Sequence, residues 1–199
     1  MDNFLVISNA ILWLAVIVLS LMVYALIRQV GILYERVAPA GALAINKSIT
    51  VGEQSPKLSV KNEVTAAPLA IGASGSAKSQ LLFFASPSCP VCKTLMPIAK
   101  SAAKAERSWL DLIVATDAEN NELHNYIQAQ ELGGTTVVNS ELLGKAFGVS
   151  KLPYAVLIDE QGVVRGMGIV NSREHLESLF NAKELGYASL QEYMQKHYA

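Results

Sequence analysis

Cysteine is scarce in this 199-residue chain, which holds only Cys89 and Cys92. One pair cannot staple a disulfide-dense scaffold, so the fold must rest on an apolar core. Histidine is nearly as rare. His124, His175 and His197 stand far apart, with none of the close pairing that completes a zinc site. No metal and no cofactor is therefore expected. No run of basic residues occurs and the net charge is -1, which argues against a nucleic-acid surface. No internal repeat is visible.

Charge is missing altogether between Phe4 and Ile27, where FLVISNAILWLAVIVLSLMVYALI has no Asp, Glu, Lys or Arg. About 20 such residues cross a hydrocarbon core as a helix. A cleaved signal peptide has a shorter apolar stretch behind a basic one. Met1-Asp2-Asn3 carries no basic side chain. Residues 1–28 are accordingly read as a retained single-pass transmembrane anchor. Arg28 and Arg36 follow it and, by the positive-inside rule, vote for a cytoplasmic C-terminal domain. Only two arginines vote, and Glu35 sits beside one of them.

Residues 29–63 read as a juxtamembrane segment and linker, on the polar composition of 45–61 and on Gly52 and Pro56. A globular domain is expected over 64–185, followed by a C-terminal tail over 186–199. Within the domain, 64–71 suits an edge strand. Leu81 to Ala85 is a short apolar run that suits a strand buried on both faces. A helix is expected to follow the cysteines to Arg107, with apolar residues at helical spacing. Then come a strand at 110–115, a helix at 119–131 stopped by Gly133-Gly134, and a short strand at 135–138. One or two helical turns at 141–147, a β-hairpin turning at 159–162 and a helix at 172–185 complete the order. Strands alternating with helices before a closing hairpin predict an α/β fold with a central mixed sheet flanked by helices.

The two cysteines carry the chemistry. Two residues apart, they can close a small disulfide ring. Cys89 falls at the expected N-cap of a helix with Pro90 at its first position, where proline is favoured. The helix N-terminus favours negative charge, so the Cys89 thiolate is stabilised. Cys92, one turn further in, is placed to attack a mixed disulfide from inside. Cys89 is thus the expected nucleophile and Cys92 the resolving thiol. Lys93 reads as a solvated helix lysine, and Trp109 and Phe147 as core.

From Gln80 to Lys183 the chain resembles the thioredoxin superfamily, on its strand, CPVC, helix, and Lys151-Leu152-Pro153-Tyr154 before the YAVLI strand. The resemblance implies a thioredoxin-like fold. It also implies that Pro153 is a cis-proline facing the disulfide and that Leu152 pairs its backbone with a substrate chain. The chain departs from thioredoxins in having Phe83 where they bury an acid and Ser88 where they place Trp. The dipeptide between its cysteines is Pro90-Val91.

Two segments narrow the match. RQVGILYERVAPAGALA (28–44) and FFASPSCPVCKTLMP (83–97), with the anchor and the length, resemble the MauD family of methylamine utilisation accessory proteins. That resemblance implies an inner-membrane protein with its catalytic domain in the periplasm. Its partner would be a cysteine-rich protein, the small subunit of methylamine dehydrogenase, whose disulfides it helps to form or rearrange. A redox partner of unknown identity is implied too. Three other readings stay open: a thiol reductase in cytochrome c maturation, a copper metallochaperone, and a non-catalytic binding module using the Leu152 edge. The copper-delivery proteins of this fold use CxxxC with a distal His, whereas this chain has CxxC.

Overall fold

A computed structural model describes residues 2–36 and 49–185. The chain divides into two units between residues 45 and 46. The first contains one helix, α1 (Asp2–Arg36). Within it, Phe4–Leu26 is long and apolar enough to cross a membrane, and all of its side chains are exposed. That makes it a candidate membrane span, with the helix continuing ten residues beyond it.

The second unit holds the remaining elements. They are β1 (Leu58–Lys61), β2 (Pro68–Ile71), β3 (Ser79–Phe84), α2 (Pro90–Ala105), β4 (Leu110–Thr116) and α3 (Asn120–Ala129). After these come β5 (Thr136–Asn139), α4 (Glu141–Ala146), β6 (Tyr154–Ile158), β7 (Val164–Ile169) and α5 (Arg173–Leu185). Five strands form the main sheet in the order β5-β4-β3-β6-β7. β3 pairs parallel to β4 and antiparallel to β6, so the sheet is mixed as expected.

β3 is central, and every residue from Ser79 to Phe84 is buried. Its alternate side chains enter different cores, as strand geometry requires. Leu81 and Phe83 pack with α2 and α5, through residues such as Leu95, Met96, Leu176 and Phe180. Leu82 and Phe84 enter the opposite core with Ile113, Leu143, Phe147 and Val164. Each large apolar side chain so buried contributes roughly 1.5–3 kcal/mol.

The linker reading of 29–63 needs correction in its second half. β1 lies inside that stretch and pairs antiparallel with β2 in a separate two-stranded sheet. Gly52 N–H donates to Val164 O at 2.8 Å, and Ser55 N–H to Gly162 O at 2.8 Å. The polar composition misleads because this segment covers an edge of the domain, and its contribution to the core is three partly buried side chains, Ile49, Leu58 and Val60. The strand expected over 64–71 is confined to its second half. Residues 62–67 turn instead, with Ala66 at φ 58°.

α3 ends before the diglycine. Its C-cap is Gln130, and Glu131 takes the left-handed conformation at φ 52°. The β6–β7 hairpin is held by Asp159, whose Oδ1 accepts from the amides of Gln161 and Val163 and whose Oδ2 accepts from Arg165 Nε at 2.6 Å. The tail read over 186–199, with Tyr187, Tyr193, Tyr198 and His197, lies outside the described residues.

Candidate active site

The end of β3 delivers the chain to the site. Ala85 N–H continues the ladder to Ala115 O, and Ser86 O then accepts from Cys89 N–H at 3.1 Å. This turn sets Cys89 in an extended conformation, φ -87° and ψ 110°, as the N-cap of α2 with Pro90 behind it. The Cys92 amide donates to Cys89 Sγ at 3.1 Å. That bond satisfies one of the orphan amides of the first turn.

Cys89 and Cys92 form a disulfide, with Cα atoms 5.2 Å apart. Cys89 is partly exposed, while Cys92 is fully buried. Cys89 is therefore the sulfur that an incoming thiolate can reach. Once the pair is reduced, its thiolate keeps the Cys92 amide and the helix dipole as stabilising partners. Cys92 shares its core with Phe83, Leu95, Met96 and Ala99. An apolar surrounding favours the neutral thiol. The two sulfurs thus differ in accessibility and in charge preference.

Phe84 pairs with Tyr154 in the β3–β6 register, so Pro153 stands at the same end of the sheet as the disulfide loop. The Leu152–Pro153 bond is cis, and Pro153 is buried. Pro153 O accepts from Val170 N–H at 3.1 Å. Leu152 is different: 37% exposed, with its N–H and C=O in no hydrogen bond among the described residues. A free backbone edge of this kind can pair with an extended peptide. Among the described residues outside α1, the exposed large apolar ones are Val91, Leu142, Leu152 and Ile169. Val91 lies between the cysteines, and Ile169 is the register partner of Tyr154. Val91, Leu152 and Ile169 thus put apolar surface at the end of the sheet that carries the disulfide.

Two cavities flank the loop that runs from Ala85 to Lys93. One, of about 290 Å³, is lined by Phe84, Ala85, Thr116, Gly144, Val149 and Leu152 among others. The other, of about 340 Å³, is lined by Pro87, Ser88, Lys93 and Tyr126 among others. Sequence reasoning missed Thr116 and Tyr126. Both hydroxyls are buried without a hydrogen-bond partner among the described residues. Burial pushes the Tyr126 phenol up to about 12. The one sequence signal for Thr116 was its place as the polar residue closing the apolar run of β4.

Lys93 is exposed on α2. Phe147 is buried core, whereas Trp109 is only partly buried, edge-on to Phe180 at 5.8 Å. No group of three or more His, Cys, Asp or Glu close enough to hold a metal ion occurs among the described residues. His124 bonds Gln128 on its own helix at 2.9 Å.

A family model described as thioredoxin-like matches residues 76–164. The chain is similar to the methylamine utilization protein MauD of Paracoccus denitrificans, 40% identical over 195 residues, covering 98% of this chain and 96% of that one. MauD of Methylorubrum extorquens is also 40% identical, over 197 residues, with 98% and 95% covered. Among solved structures, StoA from Bacillus subtilis aligns with TM-score 0.53 at 20% identity, covering 63% of this chain and 96% of that one. The thioredoxin domain of a thiol-disulfide oxidoreductase from Bacteroides vulgatus aligns with TM-score 0.55 at 13% identity, covering 70% and 99%. At these identities the structural likeness establishes the fold, which is thioredoxin-like.

Proposed function

The chain belongs to the MauD family, and on that premise we propose that it is a membrane-anchored thiol–disulfide oxidoreductase or isomerase of the periplasm. Its substrate is a cysteine-rich protein, the small subunit of methylamine dehydrogenase, whose disulfides it helps to form. The observation that carries this reading is the Cys89–Cys92 disulfide at the N-terminus of α2, one sulfur reachable and the other buried. Pro153 and Leu152 complete the site at the same end of the sheet.

The chemistry follows from that asymmetry. A substrate thiolate attacks Cys89 Sγ, the S–S bond breaks, and Cys92 leaves as a thiolate that takes up a proton. A second substrate thiolate then attacks the substrate sulfur of the mixed disulfide. Cys89 leaves, stabilised by the Cys92 amide and the helix dipole. The substrate loses two electrons and two protons; the cysteine pair gains both electrons and, at Cys92, one proton, and the other proton goes to solvent. A redox partner outside this chain returns the pair to the disulfide. Run backwards, the Cys89 thiolate attacks a wrong substrate disulfide; another substrate thiolate then displaces Cys89 to give a new pairing, or Cys92 displaces the substrate sulfur and leaves the substrate reduced.

α1 holds the chain in the inner membrane. The domain lies on the periplasmic side, where a disulfide persists. The deciding experiment is the reduction potential of the pair in glutathione buffers. A value near about -120 mV supports disulfide donation. A value near about -270 mV or below removes the donor role and leaves a reductase or an isomerase fed by a reducing partner. Labelling of reduced Cys89 in intact cells by a membrane-impermeant maleimide supports the periplasmic placement, and labelling only after lysis removes it.

A further inference from the structure

Strand geometry sets the position of the Thr116 hydroxyl. Side chains alternate along β4: Leu110 and Val114 enter the core that α2 covers, while Ile113 and Ala115 enter the opposite one. Thr116 closes the strand on the Val114 side and is 5% exposed. Beside it stands Ala85, which follows β3 and belongs to the same core. α2 joins the parallel strands β3 and β4, so it runs back across this face with its first turn over their C-terminal ends. Cys92 lies in that turn, fully buried in the same core. The Thr116 hydroxyl and the Cys92 sulfur therefore share one face and one end of the sheet. Phe83 and Ala85 offer that sulfur no polar group. The other buried polar residues, Ser55, Ser79, Gln80 and Asp159, lie toward the opposite end with partners of their own.

We propose that Thr116 is the hydrogen-bond donor to Cys92 Sγ in the reduced pair, and that this contact makes the Cys89–Cys92 disulfide more oxidising. The inference rests on the oxidoreductase reading above, in which the pair alternates between disulfide and dithiol. In the disulfide, Cys92 Sγ is tied to Cys89 and the Thr116 hydroxyl is unpaired among the described residues. A buried hydroxyl without a partner costs free energy. When the S–S bond breaks, two electrons enter the pair and Cys92 Sγ leaves as a thiolate, free to turn about its own Cα–Cβ bond. A hydroxyl hydrogen rotates to suit such an acceptor. Thr116 gives up no proton; the one that neutralises Cys92 comes from solvent. Reduction thus supplies the partner that the oxidised core lacks, and the reduced form is favoured.

The test compares redox forms of the full chain in detergent. In glutathione buffers the equilibrium constant for reduction of Thr116→Val should be about tenfold below wild type, a potential about 30 mV more negative. Urea unfolding reads the same cycle from the other side. Valine has the shape of threonine, so Thr116→Val should raise the midpoint of the oxidised protein but not that of the protein reduced with dithiothreitol. A merely structural threonine would move both forms alike and leave the potential unchanged. Thr116→Ser should keep the wild-type potential and Thr116→Ala should show the valine shift. These two lack the same methyl and differ in the hydroxyl, so they carry the comparison where valine is not accommodated. An unchanged potential in Thr116→Val, or one that moves in Tyr126→Phe instead, overturns the assignment. A wild-type pair that never equilibrates with glutathione overturns the oxidoreductase reading, while the urea comparison still reads the contact between Thr116 and Cys92.

Discussion

The amide of Cys92 donates to the sulfur of Cys89 across the first turn of α2, at 3.1 Å. Cys92 thus buries its own sulfur and, through its backbone, contacts the exposed one, as the proposed resolving and attacking roles require. Cys92→Ser keeps the amide and removes the buried sulfur. It should trap the mixed disulfide, seen as a covalent adduct on non-reducing gels. Cys89→Ser should abolish exchange altogether. An adduct that forms through Cys92 in that variant would reverse the assignment of roles.

Lys183 on α5 donates to Glu160 Oε1 at 2.7 Å and to Ser79 Oγ at 2.8 Å, and lies 4.3 Å from the centroid of the Trp109 ring. It fastens the last described helix to the start of the central strand. Burial by itself raises the Glu160 carboxyl, but hydrogen bonds from Lys183 and Ser79 outweigh it, and the net direction is down. A lowered carboxylate contributes stability fully above its ordinary value of 4.5 and loses it as pH falls through the folded value. Lys183→Met should therefore lower the unfolding free energy at neutral pH by about 1–2 kcal/mol. The gap to wild type should narrow below pH 4.5. Urea unfolding at the two pH values measures both.

Tyr126 gives a spectroscopic signature. Its phenol is desolvated and should stay neutral until pH reaches about 12. In a spectrophotometric titration the last phenolate component should vanish in Tyr126→Phe. A variant whose titration matches wild type at high pH would contradict the burial of this hydroxyl.

Gly72 is required for two reasons. Its φ is +67°, and a Cβ there would collide with Ser55 Oγ and lie 2.6 Å from Pro56 O. Gly72→Ala should cost about 1–3 kcal/mol in unfolding free energy. An unchanged denaturation midpoint would show that the 52–56 segment does not lie against this turn.

The apolar N-terminal helix, the helix after the cysteines and the cysteine pair were legible because each rests on local pattern. Phe4 to Ile27 has no charge, Leu95, Met96 and Ala99 recur at helical spacing, and proline follows an N-cap cysteine. The cis bond at Pro153 was legible only through the family resemblance, since composition carries no trace of it. The stretch around β1 was misread because its pairing partner, β2, comes seven residues later and covers the core from outside the main sheet.

By itself, then, the sequence determined that a dithiol pair opens a helix in an α/β domain behind an apolar segment long enough to span a membrane. Hydrophobic period, capping and residue spacing act over a few neighbours, and they do not depend on the rest of the chain. Tertiary structure alone decided what surrounds the pair. Phe84 brings Tyr154, and with it Pro153 and Leu152, to the end of the sheet where Cys89 stands. The end of β4 buries the Thr116 hydroxyl without a partner among the described residues. Strand register and burial set those relationships, and both depend on contacts between residues tens of positions apart.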